Sequence, residues 1–467
     1  MSAKNISLSA PQITLQSVSV TRKMAASLPG LRQLAADKGL KIHHLGAGYP
    51  HPEVTDPRTF LTHKDRYYQY LAEQEGLNNA EDLPEYLRES YSYTDTLGPL
   101  SVRQNFAAVY GADWKTTLNP DFLLPTVGAS GGISLLCSLF ERSGVPLAYI
   151  TDAPTYAGFV ARAELSNQST IFSVEMDKEG PVIEKLREQI ESARNAGRYV
   201  PFYYTVPDGH NPAGFSFSIK RRQQILEVLQ EYGVLVVEDA PYVYISYASK
   251  NDRPLPFFSM DSRLSVHLFT GSKIGFPGPR VGFLYTEAEI QIKGEISVSL
   301  RDLLVTEASA DILFHNPEAL YGFDALLHDS NFQRIESLWP VAEAKLKVYR
   351  ENREIMMQGL DEGLGKWPEL FQWTQPQAGF FTVFEFLSPN ITTDDDFITD
   401  LVSNHGIVVI PMYDFYPADA RLRDPDIGLN ELRLSFCFSE SHGEERRRDF
   451  KEAVEAFCAA VRLISGL

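Results

Sequence analysis

Cysteine is scarce in this chain. Its 467 residues hold three, Cys137, Cys437 and Cys458, with no metal-ligand spacing among them and too few for a disulfide scaffold. Each lies among apolar neighbours, which predicts buried free thiols in a reducing compartment. Positive charge is also in deficit. Lys and Arg number 43 against 61 Asp and Glu, a formal net charge of -18, and this argues against the basic surface that a nucleic acid or an anionic membrane requires. No apolar run reaches the length of a membrane-spanning helix. The opening residues MSAKNISLSAPQITLQ lack the continuous apolar core of a signal peptide. Repeats and low-complexity segments are absent too. Together these absences predict a cytoplasmic protein with no metal, nucleic acid or membrane partner.

What is present is an ordinary globular composition, 44% hydrophobic, 12% aromatic and 22% charged, in a chain long enough for a large core and a subsidiary one. The spacing predicts an N-terminal arm with short helical pieces over 19–38, interrupted at Pro29-Gly30. HHLGAGYPHPEV (43–54) is irregular, with two glycines and two prolines. A charged, Tyr-rich helical region covers 56–90. YSYTDTLGPLSVRQNFAAVYG (91–111) leads into a helix whose apolar face includes Leu100, Phe106, Ala107 and Tyr110. From residue 120 to 285 short apolar strands alternate with helices, which indicates a mainly parallel sheet covered on both faces. A long helix is expected from about Pro340 to Gly359, then strands at 379–386, 406–412 and 432–438 and a helix at 443–463. The division that follows is 1–55 (arm and part of a small domain), 56–345 (large domain) and 346–467 (C-terminal small domain).

The chemistry gathers around LSVHLFTGSKIGFPGPRVGF (264–283). Lys273 stands at the end of an apolar strand, where desolvation and a nearby cation lower an amine's pKa and make it a nucleophile. A solvent-facing lysine in a turn is the plain alternative. Ligands of such sheets collect at the carboxyl ends of the strands, and several groups sit there. GASGG (128–132) precedes a helix expected near Ile133 and offers backbone N–H groups, with Ser130 adding a hydroxyl for an anion. DAPTY (152–156) places Tyr156 at a strand end, either to stack on a planar ligand or as a core residue. DGHNPAG (208–214) carries Asn211, either a ligand amide or a turn residue. VVEDAPY (236–242) buries Asp239, which then needs a cation or a protonated ring, with Tyr242 three residues on. Arg280 suits a phosphate, and Arg433 inside an apolar strand suits a carboxylate, with a structural ion pair as the plain alternative for both.

The ordered set TVPDGHNPAG, VVEDAPY and SKIGFPGPR resembles the class I and II aminotransferases of fold type I, which use pyridoxal phosphate. The likeness is nearest to the kynurenine/2-aminoadipate and aromatic aminotransferase subgroup. It implies an α/β fold, with a mostly parallel seven-stranded sheet between helices and a smaller α+β C-terminal domain. It also implies Lys273 as Schiff-base lysine and base, Asp239 as partner of the pyridine nitrogen, and Asn211 and Tyr242 on the phenolic oxygen. Tyr156 would stack on the ring, while Ala129 (through its backbone), Ser130, Thr270, Ser272 and Arg280 would hold the phosphate. Tyr93 would reach the neighbouring subunit of a homodimer, Arg433 would grip the substrate carboxylate, and Gly48 would line the pocket. GASGG in place of Gly-Ser-Gln-Gln, Pro279 in place of leucine and Ala213 in place of threonine depart from the pattern. The activity implied is amino transfer between a bulky or aromatic α-amino acid and a 2-oxo acid. The alternatives are β/γ-elimination, replacement or oxidative chemistry on the same fold, and, from another class, a DNA-binding regulator, which the acidic chain disfavours.

Overall fold

The computed structural model describes residues 18–77, 82–249, 252–293, 296–388, 390–439 and 441–467; the part of the expected arm before residue 18 lies outside them. An eight-stranded sheet forms the body of the molecule. Its order is Leu123–Val127, Val281–Tyr285, Ser265–Thr270, Leu235–Asp239, Phe202–Thr205, Leu147–Ala153, Ser169–Asp177, Gly180–Pro181. The first seven are the strands expected. The eighth is a two-residue antiparallel addition to the outer edge, too short to carry a hydropathy signal. Val281–Tyr285 runs antiparallel to both its neighbours, and the pairs from Ser265–Thr270 through to Ser169–Asp177 are parallel.

Successive residues on a strand face opposite sides, and the packing follows that rule. Tyr149, Phe202, Tyr204, Val237, Leu268 and Leu284 pack with Ile133, Leu136 and Cys137 of the helix Gly128–Glu141. Ala148, Ile150, Tyr203 and Val236 pack instead with Leu186 and Ile190 of Ile183–Asn195 and with Ile225 and Leu229 of Ile219–Tyr232. Phe269 and Phe283 join Phe106 and Tyr110 of Leu100–Asp113 in a further cluster. The Val, Leu, Ile and Phe side chains among them each contribute roughly 1.5–3 kcal/mol. Leu100 does not join the expected apolar face: it is the first residue of that helix and is exposed.

A second, four-stranded antiparallel sheet has the order Phe371–Trp373, Phe381–Phe386, Glu431–Ser435, Ile410–Pro411. Met356 and Leu360 of the helix Trp339–Leu364 and Val454 and Phe457 of Gly443–Ile464 pack with its Phe384 and Leu432. His43–His44 pairs with Ile407–Val408, so the N-terminal segment is built into this second unit. The interruption expected at Pro29-Gly30 is absent. One helix runs from Val20 to Asp37 with Pro29 inside it. Proline removes a single backbone donor there, and Val20 and Met24 tie the start of the helix to an apolar cluster with Ile410 and Phe415. The three cysteines are free and buried. Among the described residues no helix is long and apolar enough to cross a membrane.

Candidate active site

The strand Ser265–Thr270 ends in a tight turn, closed by Gly275 N–H donating to Gly271 O at 2.7 Å, and Lys273 projects from it. The Lys273 amine is half-buried. It donates to Gly48 O at 2.6 Å and lies 5.8 Å from the Tyr242 ring centre and 5.6 Å from that of Phe380. Burial, reinforced by Arg433 and Arg280, lowers its pKa from 10.5 to about 8. Neighbouring Leu235–Asp239 ends in two adjacent carboxylates that alternation sends to opposite faces. Glu238 turns away to His267 (2.6 Å) and Arg222 (3.5 Å). Asp239, 3% exposed, faces the site. Its Oδ2 accepts from the Tyr204 hydroxyl at 2.7 Å, and its Oδ1 has no hydrogen-bond partner. Burial pushes this carboxyl up to about 7, against the opposing pull of the Tyr204 hydrogen bond and the Lys273 charge.

Arg433 comes from the second sheet. It is 1% exposed, and among the described residues no carboxylate lies within ion-pair distance of it. Nη1 donates to Asn211 Oδ1 at 2.9 Å and Nη2 to Gly46 O at 3.2 Å, while Nε is unpartnered. The guanidinium lies 4.0 Å from the Phe381 ring centre and 5.0 Å from that of Phe415. Burial lowers its pKa to about 10. Asn211, with its Oδ1 so engaged, keeps its amide N–H groups for another partner. Tyr242 is buried edge-on to Phe380 and Phe381, and burial raises its phenol pKa, so its hydroxyl keeps its proton.

A third group of side chains collects where the helix Gly128–Glu141 begins. The helix starts at Gly128, not near Ile133. GASGG is therefore its first turn, because the positive φ of Gly128 (66°) lets the strand bend straight into it. That puts the unpaired N–H groups of Gly128, Ala129 and Ser130 at the helix end. Arg280 Nη1 donates to Ser272 Oγ at 3.1 Å, and Thr270 Oγ1 donates to Ser272 Oγ at 3.0 Å. A Cβ on residue 128 would overlap the Arg280 guanidinium, which fixes how closely the two approach. Arg280 itself sits at φ 59°, with His315 Nε2 3.0 Å from its carbonyl. Tyr156 lies at the N-terminal end of Ala157–Ala163, beside Ser130.

Lys273, Asp239, Tyr242, Asn211, Arg433 and Gly48 thus come together, and Ala129, Ser130, Tyr156, Thr270, Ser272 and Arg280 gather beside them. Tyr93 stands apart, 88% exposed in its loop. The sequence reading missed Tyr204, Phe381 and Cys437, whose motifs look like plain core strand, and Phe415, in the short turn Tyr413–Phe415 after an expected strand. It also missed a feature of the segment 45–48. Four successive carbonyls there each accept a hydrogen bond: Leu45 from Ser435 N–H (2.6 Å), Gly46 from Arg433, Ala47 from the Cys437 thiol (3.4 Å) and Gly48 from Lys273. The site fits pyridoxal phosphate on its own features. A buried carboxylate oxygen waits for a ring N–H, a helix N-terminus with an arginine and two hydroxyls waits for a phosphate, and an amine of lowered pKa lies near both.

The chain matches the model of the family "Aminotransferase class I and II" over residues 85–424. It is 26% identical over 423 residues to (S)-3,5-dihydroxyphenylglycine transaminase of Amycolatopsis orientalis, covering 89% of this chain and 88% of that protein. With aromatic-amino-acid aminotransferase 1 of Thermococcus litoralis it shares 25% identity, over 77% of this chain and 78% of that one. The fold matches the crystal structure of Pyrococcus horikoshii kynurenine aminotransferase with TM-score 0.73 at 20% identity, over 97% and 96% of the two chains. A family match of that extent, over a site with this set of groups, makes the chain a member of the class I and II aminotransferases, pyridoxal-phosphate-dependent enzymes.

Proposed function

We propose that the enzyme moves an amino group between a bulky or aromatic α-amino acid and a 2-oxo acid, in two half-reactions at one site. Arg433 carries this reading. A buried guanidinium with no carboxylate partner among the described residues, clamped by Asn211 and Gly46, suits the α-carboxylate that both substrates share. The rings of Phe381, Phe415, Phe380 and Tyr242 around Arg433 and Lys273 favour a large side chain. The names of the Amycolatopsis and Thermococcus relatives agree with an aromatic substrate.

Pyridoxal phosphate, when bound, supplies the electron sink for the charge left as the substrate Cα loses its proton. Asp239 Oδ1, unpartnered, would hold the ring nitrogen and keep it protonated. Lys273 anchors the cofactor at rest. Its amine, whose pKa burial lowers, would take the substrate Cα proton as a general base. Asn211, through its free amide, and Tyr242, through its hydroxyl, address the phenolic oxygen. Tyr156 would stack on the ring. The Ala129 N–H, Ser130, Thr270, Ser272 and Arg280 hold the phosphate, and Gly48 lines the substrate pocket. Tyr93 completes the site of a second copy in a homodimer, which its outward position supports.

The same proposal covers the division at 1–55, 56–345 and 346–467, supported by the two separate sheets, and a cytoplasmic location, supported by three free thiols.

The test is the visible spectrum of the loaded enzyme with single amino acids. A bulky or aromatic amino acid is expected to bleach the band, and a 2-oxo acid to restore it. A band that persists while ammonia is released would overturn transamination in favour of elimination.

A further inference from the structure

The two oxygens of the Asp239 carboxylate are in different situations. Oδ1 has no partner, while Oδ2 accepts the Tyr204 hydroxyl at 2.7 Å. Tyr204 is itself fully buried and rigidly held. Its ring stacks on Phe159 with centres 3.9 Å apart and planes 7° from parallel. Strand alternation decides what it faces. Within Phe202–Thr205, Tyr203 and Thr205 turn to the other side of the sheet, where both hydroxyls bond Asp152. Tyr204 pairs in register with Val237, two residues before Asp239 on the neighbouring strand, so its hydroxyl reaches along the strand to that carboxylate.

We propose that Tyr204 is the positioning residue for Asp239, occupying one carboxylate oxygen so that the other stays aimed at the cofactor's ring nitrogen. The inference rests on the reading of Asp239 as partner of that nitrogen. A carboxylate's terminal torsion is broad and two-fold, so without a fixed donor on one side the group is free to turn. Removing the hydroxyl also leaves Oδ2 buried and unsatisfied, and that favours the protonated acid, which cannot pair with a protonated ring. Tyr204→Phe removes the hydroxyl alone and keeps the ring on Phe159.

The experiment compares dissociation constants of two probes, pyridoxal phosphate and an analogue whose ring nitrogen is replaced by a C–H group. Both are measured on the wild-type enzyme and on Tyr204→Phe by equilibrium dialysis. The wild type is expected to prefer pyridoxal phosphate. Tyr204→Phe is expected to weaken pyridoxal phosphate by about 10-fold or more, while the analogue changes by less than about two-fold, because a hydrogen bond to a charged group is lost only where that charge is used. Equal losses for both probes would make Tyr204 a support of the fold alone and overturn the proposal, as would an undiminished preference. A wild type that binds both probes equally would instead remove the Asp239 assignment, and the proposal with it.

Discussion

Two buried charges define the site, and among the described residues neither is in an ion pair. For Asp239 this has a consequence that pH exposes. Its carboxyl is raised to about 7 in the folded protein from an ordinary 3.8. The cost of keeping it charged is therefore absent near pH 4, grows as pH rises to 7, and is constant above. Asp239→Asn is expected to stabilise the cofactor-free protein above pH 7 by up to about 4 kcal/mol, at 1.36 kcal/mol per pKa unit. Melting curves between pH 4 and 8 check this: the variant's advantage should vanish towards pH 4, while its affinity for the cofactor falls. Lys273 has the opposite sign, its cost present below about 8 and gone above its ordinary 10.5. Arg433→Gln is expected to raise KM for amino acid and 2-oxo acid roughly 100-fold through loss of a charged, two-pronged hydrogen bond. The variant should still bind the cofactor, with the pH dependence of its band displaced upward as the Arg433 charge is lost beside Lys273. A KM within a few fold of wild type would show that the carboxylate binds elsewhere.

Elements place these residues through their ends. Strands carry Asp239 and Thr270 to the carboxyl edge, and the bend at Gly128 starts a helix directly from the strand Leu123–Val127. Gly128→Ala would put a side chain at φ 66° and against Arg280. The expected result is a loss of cofactor affinity of about 10-fold, since the strained backbone alone costs around 1 kcal/mol and Arg280 must also move. Titration of the cofactor-free variant with pyridoxal phosphate measures it. An unchanged affinity would mean that the helix start does not hold the phosphate. Most elements were legible in the sequence because their apolar period is regular: strands such as Val281–Tyr285 and helices such as Trp339–Leu364 lie where their pattern predicts. The start of the helix at Gly128 was not, because three glycines in five residues read as a loop. Nor was the unbroken helix through Pro29, where packing outweighs the local penalty.

At the scale of the whole molecule the site is a meeting of two units. Asp239 belongs to the large sheet, with Lys273 and Asn211 in turns that follow its strands, Arg433 to the small one, and Gly46 and Gly48 to the N-terminal segment between Arg433 and Lys273. Tyr93 projects away from all of them, which leads to a prediction about assembly. Mixed, refolded subunits of Tyr93→Ala and Lys273→Ala are expected to recover activity that neither has alone. In the hybrid, one site joins an intact Lys273 to the other copy's Tyr93. No recovery on mixing would place Tyr93 outside the site of a second copy.

The sequence by itself determined which residues are chemically odd for their surroundings. A lysine after an apolar strand, an aspartate at the end of another and an arginine inside a third are legible because burial of charge is costly and therefore purposeful. Tertiary structure alone decided their partners. Tyr204 reaches Asp239 from 35 residues away, and Asn211 reaches Arg433 from 222 away. Hydrogen bonds form between groups that the fold brings within 3 Å, and no local pattern records which distant strands will lie side by side.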